Sequence, residues 1–357
     1  MRVLVTGGAG YIGSHAVRLL TRAGHDAWVY DNLEIGHRSA VPQDRLIVGD
    51  LLDRARLKTT LEQLQIEAVM HFAAFALVGE SMADPARYYR NNVAGSLSLL
   101  EAMHAAGVTR IVFSSTTATY GAPQQMPITE AMPQQPINPY GFTKLVVEQA
   151  LGDYARAYGF GYAALRYFNA AGASPDGDIG EDHVPETHLI PIVLQVALGQ
   201  REKVTIFGND YSTPDGTCIR DYIHVDDLAD AHLRALERLR PGEGLKLNLG
   251  TGHGYSVREV IEACRRATQH AIPAETGARR PGDPPQLVAD SSLAKLTLGW
   301  QPRYLDIDAI VSTAWRWHQS HPHGYDDRGE DPEARHRASQ VQIAARRSAV
   351  TTPAGRP

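Results

Sequence analysis

The feature that most narrows the fold lies within the first fifteen residues. A β-branched run, Arg2-Val3-Leu4-Val5-Thr6, leads directly into Gly7-Gly8-Ala9-Gly10-Tyr11-Ile12-Gly13 and then into a helical pattern. Glycines at this spacing let the backbone turn tightly and come close to a pyrophosphate. The helix after them offers unpaired N–H groups and a partial positive charge to the same anion. Glycines alone also serve ordinary turns. The informative part is their place, after a strand and at the start of a helix.

Asp31 closes the next apolar run, about 20 residues beyond the loop, where a dinucleotide fold holds the adenosine ribose. A carboxylate there accepts both ribose hydroxyls and repels a 2'-phosphate. Arg38 is the nearest basic residue, so NAD is expected rather than NADP. Asp50 ends the third run and is expected to face the adenine.

Strands are expected at Arg2–Thr6, Asp26–Tyr30, Leu46–Val48, Ala68–Phe72, Arg110–Ser114 and Tyr162–Tyr167. Helical patterns lie between most of them, at Ser14–Ala23, Ala94–Ala106 and Tyr140–Tyr158. This alternation predicts βαβ units: an α/β, Rossmann-type doubly wound parallel sheet with helices on both faces. Beyond about residue 172, Gly, Pro and Asp cluster at 173–185 and 209–216, the texture of a smaller α/β substrate-binding lobe. The first domain is therefore placed at 1–172, with a return at about 222–268 that includes a strand at Lys246–Leu249. The second lobe takes 173–221 and 269–324. Ser256-Val257-Arg258-Glu259 matches a capping box at the start of a helix. Residues 325–357 carry few apolar side chains and charges of both signs, and are read as a mobile tail; a helix over 334–347 is the alternative.

With 357 residues, 43% hydrophobic and 21% charged, the chain can bury a sizeable core. A net charge of -5 argues against a nucleic-acid partner. No apolar run approaches the roughly 18 residues of a membrane helix, and no basic leader precedes the first strand. Cys218 and Cys264 are far apart and in no Cys-x-x-Cys pair, so a reducing, cytoplasmic compartment is expected.

Tyr140 and Lys144 stand four apart at the start of a helical pattern, hence on one face, one turn apart. A phenol with a pKa near 10 is a poor base at neutral pH. An ammonium beside it, with a positive nicotinamide ring, would favour phenolate. Upstream, Phe113 runs into the hydroxyl-rich Ser114-Ser115-Thr116-Thr117-Ala118-Thr119-Tyr120, a strand end suited to orient a reacting alcohol.

In order and spacing, Thr6–His15, His71-Phe72-Ala73-Ala74, Val78-Gly79-Glu80-Ser81, Tyr88–Val93, Phe113-Ser114-Ser115, the Tyr140/Lys144 pair and Leu165–Asn169 resemble the UDP-glucose 4-epimerase family of the extended short-chain dehydrogenase/reductases. Ile206–Tyr211, Asp215-Gly216-Thr217, Arg220–Val225, Asn248-Leu249-Gly250 and Arg279–Asp283 make the resemblance specific, over residues 1–324. It implies an isomerase that interconverts UDP-galactose and UDP-glucose through a 4-keto sugar, with NAD retained and a homodimeric assembly. By the same resemblance, Tyr140, Lys144 and Thr116 carry the chemistry. NAD contacts fall on Gly7, Gly10, Tyr11, Ile12, Gly13, Asp31, Asn32, Asp50, Leu51, Phe72, Ala73, Ala74, Asn91, Lys144 and Phe168. UDP-sugar contacts fall on Thr116, Tyr140, Asn169, His188, Leu189, Phe207, Arg220, Arg280, Asp283 and Leu287. Arg220 and Arg280 would bind the two phosphates.

Two positions depart from the family pattern. Ala76 stands where some relatives carry lysine, which puts one NAD contact in doubt. Leu287 stands where some carry tyrosine, leaving room in the sugar pocket for a 2-acetamido group, as in UDP-GlcNAc and UDP-GalNAc. Rival readings are a UDP-pentose or UDP-uronate 4-epimerase, a sugar-nucleotide dehydratase and a non-catalytic NAD sensor. A dehydratase or decarboxylase needs an acid just before Tyr120-Gly121, where this chain has Thr117, Ala118 and Thr119. Glu181, Asp182, His183, Glu186 and His188 have the composition of metal ligands but no helical His spacing, so a loop role and no metal are expected. Asp226-Asp227 is expected to cap a helix.

Overall fold

The computed structural model describes residues 1–123, 125–280 and 283–327. Seven parallel strands form the main sheet: β1 (Arg2–Thr6), β2 (Asp26–Asp31), β3 (Leu46–Val48), β4 (Ala68–His71), β5 (Arg110–Ser114), β6 (Gly161–Arg166) and β7 (Gly244–Asn248). Their spatial order is β7-β6-β5-β4-β1-β2-β3. The order reverses between β1 and β4, the switch point where such sheets open a crevice at their carboxyl edge.

Both faces of the sheet are buried, and side chains alternate between them as the pleat requires. In β1, Val3 and Val5 join one core and Leu4 the other. Six helices frame the crevice and the second lobe: α1 (Tyr11–Arg22), α2 (Pro139–Tyr158), α3 (Leu189–Ala197), α4 (Val225–Arg238), α5 (Val257–Thr268) and α6 (Ile307–Ser320). Helices α1 and α4 cover the first face through Val17, Leu20, Leu228 and Leu236. Helix α2 covers the second through Val147 and Leu151, beside Leu99 and Leu100. Full burial of each such side chain stabilises by about 1.5–3 kcal/mol.

The second lobe has its own core, where Val193 and Leu194 of α3 meet Ile261 of α5 and Ile310 of α6. Its central strand, Ile219–His224, pairs with Asn169–Ala171, Gly254–Ser256 and Gln286–Leu287. Three sequence expectations change here. The return to the main sheet is narrower than 222–268: α4 and β7 belong to it, whereas α5, begun by the expected capping box at Ser256, buries its apolar stripe in the second lobe. Tyr325 and Asp327 are buried rather than part of a tail. Tyr325 stacks on His37, and Asp327 accepts from His37 and the Ser39 amide. Residues 328–357, including the alternative helix, lie outside the described residues. Finally, neither Asp226 nor Asp227 caps α4; the cap is His224, whose side chain accepts from the Asp226 amide. Asp226 instead bonds His15 at 2.7 Å, and Asp227 accepts from the amides of Arg303 and Tyr304.

Helix α2 is fixed to the sheet by a buried ion pair. Arg166 of β6 donates Nε and Nη2 to the two carboxylate oxygens of Glu148 at 2.9 and 2.6 Å. Ser115 and Gln134 also donate to Glu148, and Arg166 Nη1 reaches the Tyr120 hydroxyl. Glu148→Ala leaves a buried guanidinium without its counter-charge and is expected to cost about 3–5 kcal/mol in denaturant unfolding. A loss below about 1 kcal/mol would show that the pair does not tie helix to sheet. Replacing both partners by apolar residues should recover a large part of the loss.

Candidate active site

The glycine loop crosses the carboxyl edge at the switch point, where no side chain fits. A Cβ on Gly7 would lie 2.4 Å from the Ala73 nitrogen after β4, and one on Gly13 would lie 2.1 Å from the Gly7 oxygen. Gly7 also holds a φ of 69°, a left-handed conformation suited to glycine. The Gly10 position is open, with its nearest neighbour at 3.4 Å. Gly10 is the N-cap of α1 and offers no side-chain cap, and the first turn carries no acid, so the helix start is left for an external anion.

Asp31 lies at the end of β2, buried, with one oxygen accepting from the Ala9 amide at 3.0 Å and the other from Leu33 at 2.8 Å. Burial pushes its pKa up, against those two bonds. Each oxygen keeps a further acceptor direction for a ribose hydroxyl. Asn32 donates to Asp50, which also accepts from the Leu52 amide. Ile12, Ala74 and Phe168 are half-buried around this edge, and Phe72 packs against His232. Asn91 donates to Asn92. The Leu51 side chain belongs to the core beneath Gly95, so only its backbone can face a ligand. The uncapped helix start, the side-chain-free loop and the ribose-type carboxylate together fit an NAD molecule.

The residues expected to react stand beside this cradle. Asn138 caps α2 by accepting from the Gly141 amide, and Pro139 supplies the first helical residue. That start sets Tyr140 near Thr116, whose side chain acts to lower the phenol pKa against its burial. Thr116 is itself oriented by the Ala118 amide at 3.1 Å. One turn on, Lys144 is buried and donates Nζ to the Ser114 carbonyl at 2.8 Å.

The expected aid from lysine to phenolate is not expressed in the protein alone. Burial pushes Tyr140 up, opposed by Thr116, while burial brings Lys144 down to about 7, with Glu148 pulling it back. Burial makes the ammonium easier to deprotonate, so phenolate formation depends on further positive charge from a bound ligand. Several neighbours lie in the sequence motifs but are assigned no role from the sequence alone. Ser114 and Tyr167 hydroxyls meet at 2.5 Å, and Tyr167 lies close enough to Tyr140 for mutual repulsion of their anions. His71 bridges Thr6 and Ser96, and its imidazole is held down to about 3 by burial and by Lys144.

Most of the other residues expected to contact the UDP-sugar lie in the second lobe. Arg280 stacks over Phe207 at 4.2 Å. Arg220 pairs with Asp283 and donates to the Pro284 carbonyl at 2.9 Å, so some of the donors expected for phosphate are engaged within the protein. Leu287 stands in register beside Arg220. Asn169 pairs with Tyr222, while His188 and Leu189 begin α3.

The side chains of Glu181, His183, Glu186 and His188, for which a loop role is expected, converge in the structure. Ligand-type atoms from all four lie within 4.8 Å of one another. His188 Nδ1 is 2.7 Å from Glu181 and 3.2 Å from Glu186. The carboxylates raise His183 to about 9 and His188 to about 10, each against its burial.

Lys144→Met tests the buried amine. Because its folded pKa lies near 7 and its ordinary value at 10.5, the cost of burying the ammonium is full below pH 7 and fades as pH rises toward 10.5. In nucleotide-free protein the variant should therefore gain most in Tm relative to wild type at pH 6, and least at pH 10. A difference in Tm that is flat across that range would contradict the shift.

Comparison with known proteins agrees with this geometry. Residues 3–250 match the NAD dependent epimerase/dehydratase family. A UDP-glucose 4-epimerase of Halalkalibacterium halodurans is 55% identical over 334 residues, covering 93% of this chain and all of the relative. A crystal structure of a UDP-glucose 4-epimerase superposes with a TM-score of 0.89 at 54% identity, covering 91% of this chain and 100% of the other. The Brucella ovis UDP-glucose 4-epimerase in complex with NAD gives a TM-score of 0.85 at 53% identity, covering 88% and 97%. With a whole-length likeness and the side-chain groups of the fold in place, the chain belongs to the NAD-dependent epimerase/dehydratase family.

Proposed function

We propose that this protein interconverts UDP-glucose and UDP-galactose by inverting the sugar at C4. The observation that carries this reading is the buried Lys144 one turn from Tyr140 and near Thr116, beside the dinucleotide cradle, with Arg220 and Arg280 of the second lobe expected to hold the nucleotide. The Halalkalibacterium halodurans relative and the superposed crystal structure, both UDP-glucose 4-epimerases, support it.

Thr116 and Tyr140 hold the 4-hydroxyl of the sugar, and Tyr140 takes its proton. NAD, when bound, supplies the hydride acceptor and donor for C4. The resulting 4-keto sugar turns within the pocket while Arg220, Arg280, Phe207 and Asp283 keep the UDP part in place. Tyr140 then returns the proton to the 4-oxygen, so the net change is stereochemical only. A dehydratase needs a carboxyl near Thr117–Thr119. Here Thr117 and Thr119 direct their hydroxyls to the carbonyls of Tyr167 and Thr116, which favours the epimerase.

The protein should purify with NAD(H) and convert UDP-galactose in a coupled assay. Tyr140→Phe keeps the ring but removes the proton acceptor, and should lower kcat by about 10²–10⁴-fold with the nucleotide still bound. Near-normal turnover by that variant would remove Tyr140 from its role. Recovery of NADP(H) would remove Asp31 from its role in selecting NAD.

The finer substrate range turns on Leu287, which lacks the hydroxyl and bulk of a tyrosine beside Arg220. We infer that UDP-GlcNAc and UDP-GalNAc also interconvert. Leu287→Tyr should then suppress that reaction and largely spare the unsubstituted hexoses. Equal loss of both reactions, or no acetamido activity in wild type, would refute the gate.

The expected homodimer fits an exposed apolar groove on α2, lined by Phe142, Leu145, Val146 and Ala150. Two buried free cysteines fit the expected cytoplasmic setting, and among the described residues no helix is long and apolar enough to cross a membrane.

A further inference from the structure

The Glu181–His188 loop gathers two carboxylates and two imidazoles, of which only His188 has an expected part in the proposed reaction, as a contact to UDP. Glu181 and Glu186 are buried, 5% and 8% exposed. Among the described residues no lysine or arginine forms an ion pair with either; the partners are His183 and His188. Two buried carboxylates this close need positive charge between them.

Three of the four measured separations come close to metal-ligand spacing, and the fourth is a hydrogen-bond distance. Bonds of about 2.0–2.2 Å from a tetrahedral zinc place its ligand atoms about 3.3–3.6 Å apart. His183 Nδ1 stands 3.2 Å from Glu181 and 3.8 Å from Glu186, and His188 Nδ1 stands 2.7 Å and 3.2 Å from the same two residues. Bonds to the loop hold the cluster in place, at Glu186 through amides of its own stretch and at the Glu181 backbone through Trp317 of α6. One Glu186 oxygen accepts the amides of Thr187 and His188, leaving the other toward His183. The Glu181 carbonyl accepts from Trp317 Nε1 at 3.1 Å. Tyr11 of the glycine loop lies edge-on to His183 at 6.3 Å and donates its hydroxyl to the Gly172 carbonyl.

We propose that Glu181, His183, Glu186 and His188 bind one divalent transition-metal ion, zinc by ligand type, as a structural clasp. The ion would hold the loop entering α3 against the glycine loop and the α6 end of the chain. Two imidazoles and two carboxylates in a closed tetrahedral set suit zinc and leave no open position for chemistry. The site stands independently of the epimerase reading, because its occupancy is measured without any sugar.

The test uses full-length, NAD-containing protein. After dialysis against metal-free buffer, elemental analysis should find about one zinc per chain, or one equivalent should bind when zinc sulfate is added. A strong chelator should lower Tm by about 5 °C or more, and zinc should restore it. Cobalt(II) added to the stripped protein should give the visible absorption of a tetrahedral centre. His183→Ala, which leaves the UDP-facing residues in place, should bind less than a tenth of an equivalent and lose its response to chelator and zinc. The wild-type titrations keep the test valid should that variant fold poorly. Absence of bound zinc and cobalt in wild type, or the same chelator response in wild type and His183→Ala, would overturn the proposal in favour of two protonated imidazoles as the counter-charge.

Discussion

The candidate active site depends first on how firmly α2 is held to the sheet. Tyr140 and Lys144 occupy the first two turns of that helix, and Glu148, one turn further, reaches Arg166 of β6 through two charge-assisted bonds. A helix held only by apolar contacts can slide along its axis at small cost. A bidentate ion pair with almost no solvent exposure cannot, because any shift leaves a buried charge short of partners. Ser115 bonds the same carboxylate from the strand end that also carries Thr116. The register between Thr116 and Tyr140 is therefore set by a structural pair outside the reacting groups. The same carboxylate acts on Lys144, offsetting part of the cost of its burial.

The glycine loop imposes the complementary constraint on the other side of the crevice. Gly7 and Gly13 pack backbone on backbone, so the loop conformation follows from steric exclusion rather than from any particular bond. Asp31 is then positioned by the Ala9 amide of that loop. Loop, carboxylate and helix start form one rigid body before a ligand arrives, which lowers the ordering cost of binding.

Much of this was legible in the sequence. The strands of the main sheet are apolar runs bounded by glycines, and their edges fell within a residue or two of expectation because both faces are buried. Asp31, the Tyr140/Lys144 spacing and the capping box at Ser256 are local patterns, fixed by three to five neighbouring residues. What was not legible depends on distant partners. Glu148 reads as an ordinary helix-face acid until Arg166 is placed opposite it. Asp226 and Asp227 read as helix caps until His15 and the Arg303 and Tyr304 amides claim them. Tyr325 and Asp327 read as tail because the pocket that buries them is built by His37, almost three hundred residues earlier.

The convergence of side chains in the Glu181–His188 loop is not visible in residue spacing. Metal-ligand spacing is usually read against a helix or a tight turn, where the residue count sets the geometry. An irregular loop has no such period, and its ligand atoms converge only because both ends are fixed elsewhere. Trp317 and Tyr325 hold the stretch around Gly180 and Glu181, while α3 begins at Leu189 and fixes His188 as its N-cap. Between those two points the chain is short enough that four polar side chains must share one space. Their mutual charge is then a constraint on the loop that carries one edge of the expected UDP site. The packing of Trp317 and Tyr325 thus bears on this loop, and Tyr325 at the same time stacks on His37, whose amide donates to the Ala9 carbonyl of the glycine loop.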